Sequence, residues 1–348
     1  MKRSLPLLFV LLLSLASCGG NEPAGEPSML HRGTGEEPES LDVHKSTSTE
    51  AGHVQRDLGE GLMGYSPDGA LQPAAAVDWQ LSEDGRIYTF TLRPEARWSN
   101  GDAVTAEDFV YSYRRLLDPA TAALYTQSLI EVANARDIVA GTGSPDTLGV
   151  EAVDTHELRI TLNQPVPYFL SLLTHPSTFP VHRGSIEAHG ERHARPGNPV
   201  TNGAYRLLEW EIGSHIEIER NEHYRDNANT AIDRVRHYVT PEPMAELTRY
   251  RAGELHITRT IPPEMFSRML ETRPDVVRVS PALGVYYYGF NMQAPPFAGN
   301  PALREALSLA IDRELIVRIV GRGEKPAYSW VPPGTANYDP QPVSYTHL

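Results

Sequence analysis

The stretch VDWQLSEDGRIYTFTLRPEARWSNGDAVTAEDFVYSYRRLLDP, from Val77 to Pro119, constrains this chain more than any other. Within it Ile87 to Leu92 alternates, with Tyr88, Phe90 and Leu92 on one face and Thr89 and Thr91 on the other. A period of two marks a half-buried strand, entered here through the turn residues Ser82 to Gly85. Trp98 supplies a second apolar anchor, and Asn100-Gly101 turns the chain again. Thr105 then starts a helix: its hydroxyl is placed to cap the amide of Asp108, and Glu107 and Asp108 suit the positive helix end. Phe109, Tyr113 and Leu116 or Leu117 repeat at helical spacing, and Asp118-Pro119 ends the run.

Length and charge narrow the classes. The 348 residues have room for two domains, or for one large one with an excursion. The formal net charge of -13 argues against nucleic acid, because phosphate binding needs a basic face. A single cysteine excludes an internal disulfide. Lys2 and Arg3, followed by the apolar run Leu5 to Leu15 and then Leu15-Ala16-Ser17-Cys18, read as a signal peptide over 1–17 with a lipoprotein processing site. Cys18 is then the lipidated residue and 18–28 a tether. The alternative is an ordinary secretory signal in which Cys18 is incidental. No nucleophile motif, phosphate loop or paired cysteine is present, and Gly141-Thr142-Gly143-Ser144 lacks the strand and helix a phosphate loop needs. His189 and His193 lie one helical turn apart, but Glu191 is not adjacent to either as a zinc-protease helix requires. They read as solvated surface histidines, and no metal or cofactor is expected.

Other expectations follow from pattern alone. Helices are expected over Val54–Met63, Ile130–Ala140, Ala245–Gly253, from Pro262 onward, and as one long helix over Pro301–Val320 with Asn300 as cap. Strands are expected at Leu158–Leu162, Ile216–Asn221, Ile232–Val239, Glu254–Ile257, Val276–Val279 and Val285–Phe290.

The run Leu92-Arg93, Trp98-Ser99-Asn100-Gly101 and Val104 to Val110 resembles the signature segment of the family 5 solute-binding proteins of ABC importers. Further matches point to the oligopeptide-binding branch. These are Glu39-Ser40-Leu41-Asp42 with His44-Lys45; Arg56-Asp57-Leu58 and Glu60-Gly61-Leu62, with Gly59 in an aromatic slot; and Pro165 to Phe169. Val200 to Leu207 also matches, as does Ile216 to Tyr224, where Arg225 replaces a tryptophan. The resemblance implies an α/β, bilobal periplasmic binding protein-like fold of type 2 architecture with an extra lobe. Lobe I would take 29–60 and 185–283, lobe II 61–184, and 284–348 would begin lobe III, with the family domain at about 70–342. Relatives continue beyond the point where this sequence stops, and 343–348 lose the resemblance, so a fold incomplete at the C-terminus is expected.

Site residues follow from the same resemblance. Ser46, Thr47, Ser48 and Thr49 fall where relatives touch the ligand backbone, although the residues alone read as a plain solvated loop. Thr47 stands where well-known relatives carry an acid. Tyr125, Tyr287 and Asn291 fall at cleft positions, although Tyr125 by itself reads as core and Tyr286-Tyr287-Tyr288 as sheet aromatics. The implied function is capture of extracytoplasmic oligopeptides by a monomer for the permease subunits of an ABC importer. The protein would sit on the periplasmic or outer membrane face, held by its lipid. Other solutes (a dipeptide, a murein peptide, a metal chelate) are the nearest alternative, and a secreted hydrolase the distant one.

Overall fold

A computed structural model of the chain describes residues 27–280, 282–332, 334, 335 and 338. From the amino end, β1 (Met29–Gly35) leads through a loop to α1 (Thr49–Leu58), and β2 (Met63–Tyr65) pairs with β3 (Leu71–Pro73). Then come β4 (Ala76–Leu81), β5 (Ile87–Leu92), α2 (Ala106–Leu117), α3 (Ala135–Val139), β6 (Val150–Asp154), β7 (Glu157–Thr161) and α4 (Phe169–Leu172). After α5 (Arg183–His189) the chain forms β8 (Tyr205–Glu211), β9 (His215–Arg220) and β10 (Arg234–Val239). Helices α6 (Pro243–Arg251), α7 (Pro263–Thr272), α8 (Pro301–Leu309) and α9 (Arg313–Val320) follow. None of these helices is long and apolar enough to cross a membrane.

Two four-stranded sheets organise the molecule. In the first, the order is β1-β10-β9-β8, with β1 parallel to β10 and the rest antiparallel. Its inner face (Leu207, Ile216, Ile218 and Val235) packs on Val54 and Leu58 of α1. The second sheet, β4-β5-β7-β6, is antiparallel throughout. Tyr88, Phe90 and Leu92 of β5 are buried, as the alternation requires, and they join Phe109, Tyr113 and Leu116 of α2 in the main core. Trp98 is 1 % exposed and donates its indole N–H to Asp108 Oδ2 at 3.3 Å. The same carboxylate accepts the Thr105 amide at 2.8 Å and the Thr105 hydroxyl at 3.0 Å. The start of α2 is therefore tied to the core by one acid, and the Thr105 hydroxyl donates to that carboxylate.

Several expected elements differ. Helix α1 begins at Thr49 and ends at Leu58, because Ser48 caps it by accepting the Ala51 amide at 3.2 Å; Met63 lies in a strand. The expected helix over Ile130–Ala140 reduces to α3, because Val132 bridges Leu162 beside the second sheet. The long helix expected from Pro301 is two helices. Asp312 breaks it by accepting the Leu315 amide at 2.8 Å, which caps α9. Glu254–Ile257 contributes only a single bridge from Ile257 to Arg32. No strand forms at Val276–Val279 or Val285–Phe290, since no described neighbour pairs with them. Tyr286, Tyr287 and Tyr288 are exposed, and so are Leu307, Leu309, Leu315, Ile316 and Ile319 on α8 and α9. Cys18, the signal segment before it and most of the tether lie outside the described residues, as does the end of the chain from 339.

The chain passes between the two sheet units near Gly59–Leu62 and again near Val200–Gly203, and these passages touch. Asn202 grips the Glu60 backbone twice, its amide donating to the carbonyl at 2.8 Å and its oxygen accepting the N–H at 3.0 Å. Gly203 donates to Leu58 O at 2.9 Å. A Cβ on Gly203 would lie 2.5 Å from the Leu58 carbonyl carbon, so the crossing admits only glycine there without movement. Arg225 makes a two-pronged pair with the Glu60 carboxylate at 2.9 and 2.7 Å, and the Tyr224 hydroxyl donates to it at 2.9 Å.

Candidate functional site

The loop between β1 and α1 carries the four residues expected at the ligand backbone, and one acid organises it. The Glu39 carboxylate accepts the Ser48 amide at 2.8 Å, and also the Thr47 amide and the Ser48 hydroxyl. The Thr47 hydroxyl adds a fourth contact at 3.4 Å. Partial burial works to raise the Glu39 pKa, but the Ser48 hydroxyl and the two amides outweigh it and hold the group at about 2. Ser46 is buried, its hydroxyl accepting the Gln55 side-chain amide at 2.6 Å. Thr47 and Thr49 are exposed and Ser48 half-buried. The amides of Thr47 and Ser48 are thus already engaged. What the loop offers outward is the exposed Thr47 and Thr49 side chains and the Glu39 carboxylate.

Beneath the loop lies a buried ionic cluster that joins it to α2. Arg115 binds both Asp42 oxygens, at 3.1 and 2.7 Å, and its Nη1 reaches His44 Nδ1 at 2.6 Å. His193 Nε2 lies 3.1 Å from Asp42 Oδ2, a charge contact off the line of an aligned hydrogen bond. Burial opposes ionisation of Asp42, but His193 and Arg115 prevail and hold it well below the usual carboxylate range. Burial, with Arg115 beside it, pushes His44 down to about 3 against the pull of Asp42. His193 is therefore a buried structural histidine, contrary to the surface position expected from its spacing; its helical turn faces inward onto Asp42.

Tyr125 is brought to this loop. The neighbouring Leu124 amide donates to His44 O at 3.0 Å, and the Tyr125 ring lies 4.6 Å from that of His175, tilted by 57°. Half-buried His53 on α1 is pushed down to about 4, chiefly by burial and then by Arg32, Arg259 and Arg56, with Glu50 opposing. Arg259 pairs with Glu50 in the first turn of α1 at 3.2 Å. Tyr287 and Asn291 are placed differently. Tyr287 is 58 % exposed with its ring 4.4 Å from Trp330, and the Asn291 side chain accepts the Gln293 amide at 3.1 Å. Among the described residues neither makes a hydrogen bond or ring contact to the Ser46–Thr49 loop.

Two concavities and one acidic cluster complete the survey. A cavity of about 70 Å³ behind the loop, lined in part by Leu41, Gln55, Trp98, Phe179 and Asn202, holds a few waters at most. A groove of about 270 Å³ runs between α6 and α7, past Tyr250, Met265 and Arg268. Glu209, Glu211 and His215 bring ligand atoms within 4.8 Å of one another. However, the two acids approach opposite nitrogens of the imidazole, at 3.3 and 3.6 Å, so one ion on one ring nitrogen does not collect all three.

The sequence model for bacterial extracellular solute-binding proteins, family 5 Middle, matches residues 70–347. The chain belongs to this family. It is 41 % identical over 337 residues to the periplasmic oligopeptide-binding protein OppA of Salmonella typhimurium, covering 94 % of this chain and 62 % of that protein. It is 39 % identical to the periplasmic murein peptide-binding protein MppA of Escherichia coli, covering 98 % and 64 %. The solved structure of the E. coli murein tripeptide-binding protein MppA superposes with a TM-score of 0.88 at 40 % identity, over 93 % of this chain and 64 % of that one. Haemophilus influenzae OppA in complex with the peptide RPPGFSPFR gives 0.84 at 39 % identity, over 88 % and 60 %. The chain therefore has the fold of the family 5 periplasmic binding proteins and spans a little over three fifths of the length of these relatives.

Sequence reasoning missed Glu39 as the organiser of the loop. It stands nine positions before Ser48, and no period links the two. Arg225 was visible only as a departure from the family pattern, and its partner Glu60 was not.

Proposed function

We propose that the protein captures oligopeptides outside the cytoplasm and delivers them to the permease subunits of an ABC importer. The observation that carries this reading is the match at about 40 % identity to both oligopeptide- and murein peptide-binding proteins along nearly the whole chain. The loop geometry agrees with it: Thr47 and Thr49, on a loop locked from behind by Glu39 and Asp42, lie near Tyr125 on the neighbouring unit. An extended peptide laid along such a wall gains affinity from its backbone, and roomy side-chain pockets leave sequence largely unread. Tyr287 and Asn291 belong to the facing wall in this reading and meet the ligand when the cleft closes. Binding without chemistry is expected, since a family of transport proteins supplies no reason for hydrolysis.

Calorimetric titration of the full-length protein with mixed short peptides, followed by mass analysis, tests both points. Saturable binding with peptide recovered intact is expected, and Tyr125→Ala should weaken it by about 1 kcal/mol or more. Absence of binding, or cleaved peptide, overturns the reading. Lipidation at Cys18 belongs to the same proposal. Cys18→Ala should move the protein out of the membrane fraction, and unchanged fractionation would count against the anchor.

A further inference from the structure

We infer that Glu39 sets the charge preference of the Ser46–Thr49 wall, so that this wall accepts a cationic group of the bound peptide and rejects an anionic one. The inference rests on the peptide-binding reading and assigns a specificity role within that site.

Three observations carry it. First, the amides of Thr47 and Ser48 precede a helix, where free N–H groups and the helix dipole ordinarily attract an anion. Glu39 already fills that place, accepting both amides and the Ser48 hydroxyl. A peptide carboxylate arriving there meets an occupied site and a like charge. Second, Glu39 has no cationic partner among the described residues. The nearby cations are committed elsewhere: Lys45 pairs with Glu191 at 3.1 Å, and Arg259 pairs with Glu50. Hydrogen-bond donors hold the carboxylate in position without cancelling its charge, so a full negative charge faces outward. Third, Glu39 is exposed while Ser46 beneath it is buried, which places the charge on the side of the loop open to a ligand. Its donors also keep it ionised down to about pH 2, so the preference does not fade with mild acidification.

The group recognised is a lysine or arginine side chain, or a free amino terminus, at whichever peptide position lies against Thr47. The effect belongs to the class of partly solvated charge pairs, which shift selectivity more than total affinity.

The test uses full-length protein and alanine-based tripeptides carrying Lys, Glu or Ala at each position in turn, titrated against wild type, Glu39→Gln and the double variant Glu39→Gln/Thr47→Glu. Glutamine keeps an oxygen for the loop amides and removes the charge. In wild type, one Lys peptide should bind about 3- to 10-fold tighter than its Glu counterpart, with the ratio shrinking as salt rises from about 20 to about 300 mM. Glu39→Gln should bring that ratio to about 1 while leaving the Ala peptide within about 2-fold. The double variant, which returns an acid to the same loop, should restore the preference. A Lys-to-Glu ratio unchanged by Glu39→Gln overturns the inference. So does an equal loss for all three peptides, which would show that Glu39 only holds the loop. Failure of wild type to bind any peptide overturns the proposed function instead, so the two failures are distinguishable.

Discussion

Tyr113 is fully buried in the face of α2, yet its hydroxyl finds no hydrogen-bond partner. An unpaired buried hydroxyl costs about 1–3 kcal/mol, and removing it leaves the ring packing intact. Tyr113→Phe is therefore expected to stabilise the protein by about 1 kcal/mol, read as a higher urea midpoint at unchanged slope. A lower midpoint would mean that the hydroxyl is satisfied after all. His44 gives the opposite case, a buried group whose environment forbids its charged form. Its folded pKa of about 3 lies below the ordinary histidine value, so the unfolded chain takes up the proton first as pH falls. Stability contributed by neutral His44 is complete above about pH 6.5 and declines by roughly 1.4 kcal/mol per pH unit towards pH 3. Arg115, Asp42 and His193 all face it, as does the Ser112 hydroxyl at 3.4 Å. Asp42 ionises well below its usual range, so its own contribution is lost only in stronger acid. Urea titrations at pH 7, 5.5 and 4.5 should show wild type losing more stability than His44→Asn; parallel losses would remove His44 from the account.

At the scale of elements, what the sequence disclosed depended on whether the signal was local. Strand β5, helix α2 and its stop at Asp118-Pro119 follow from neighbours a few residues apart, and each stands where period and capping put it. Strands β4 and β6 escaped notice, because in each only the first residue is buried and no alternation shows. Val285–Phe290 has the composition of a strand but no described partner, and propensity without a partner does not make one. The Ser46–Thr49 loop could be located from its resemblance, whereas its tie to Glu39 is a contact in space. The break between α8 and α9 was readable in principle. Asp312 sits three residues before Leu315, at capping distance, but the apolar spacing through Ala310 and Ile311 masked it. Asp312→Ala removes the bond to the Leu315 amide and should cost α9 about 1 kcal/mol. Hydrogen exchange at Leu315 and Ile316 should quicken about 5-fold, with exchange in α2 unaffected. If the exchange is unchanged, α9 is held by packing and the cap is incidental.

Taken whole, the molecule is two sheet units braced against each other. Asn202 and Gly203 lock the crossing, Arg225 grips Glu60, and Arg115 reaches from α2 to Asp42. These ties explain why the neighbourhood of the Ser46–Thr49 loop is built from residues distant in sequence. The region beyond Leu283 lacks comparable bracing, and its aromatic and aliphatic side chains, from Tyr286 at 86 % exposure to Ile319 at 74 %, meet water. That surface lies on a chain whose net charge is -13, so two opposing forces decide how copies of it meet in solution. Electrostatic repulsion acts across a Debye length, about 30 Å at 10 mM salt and about 8 Å at 0.15 M, while apolar contact acts only on touching. Dilute buffer should therefore keep the chain dispersed by a long repulsive barrier. Added sodium chloride should thin that barrier until the tyrosine-rich face can find its like, and sulfate should drive the same association further. Light scattering on this chain should show particle size growing with salt and reverting on dialysis. A size that stays constant from about 20 to about 500 mM would mean that the exposed rings are too dispersed to adhere. Ionic strength, more than concentration, would then be the control on whether this molecule remains a colloid of separate particles.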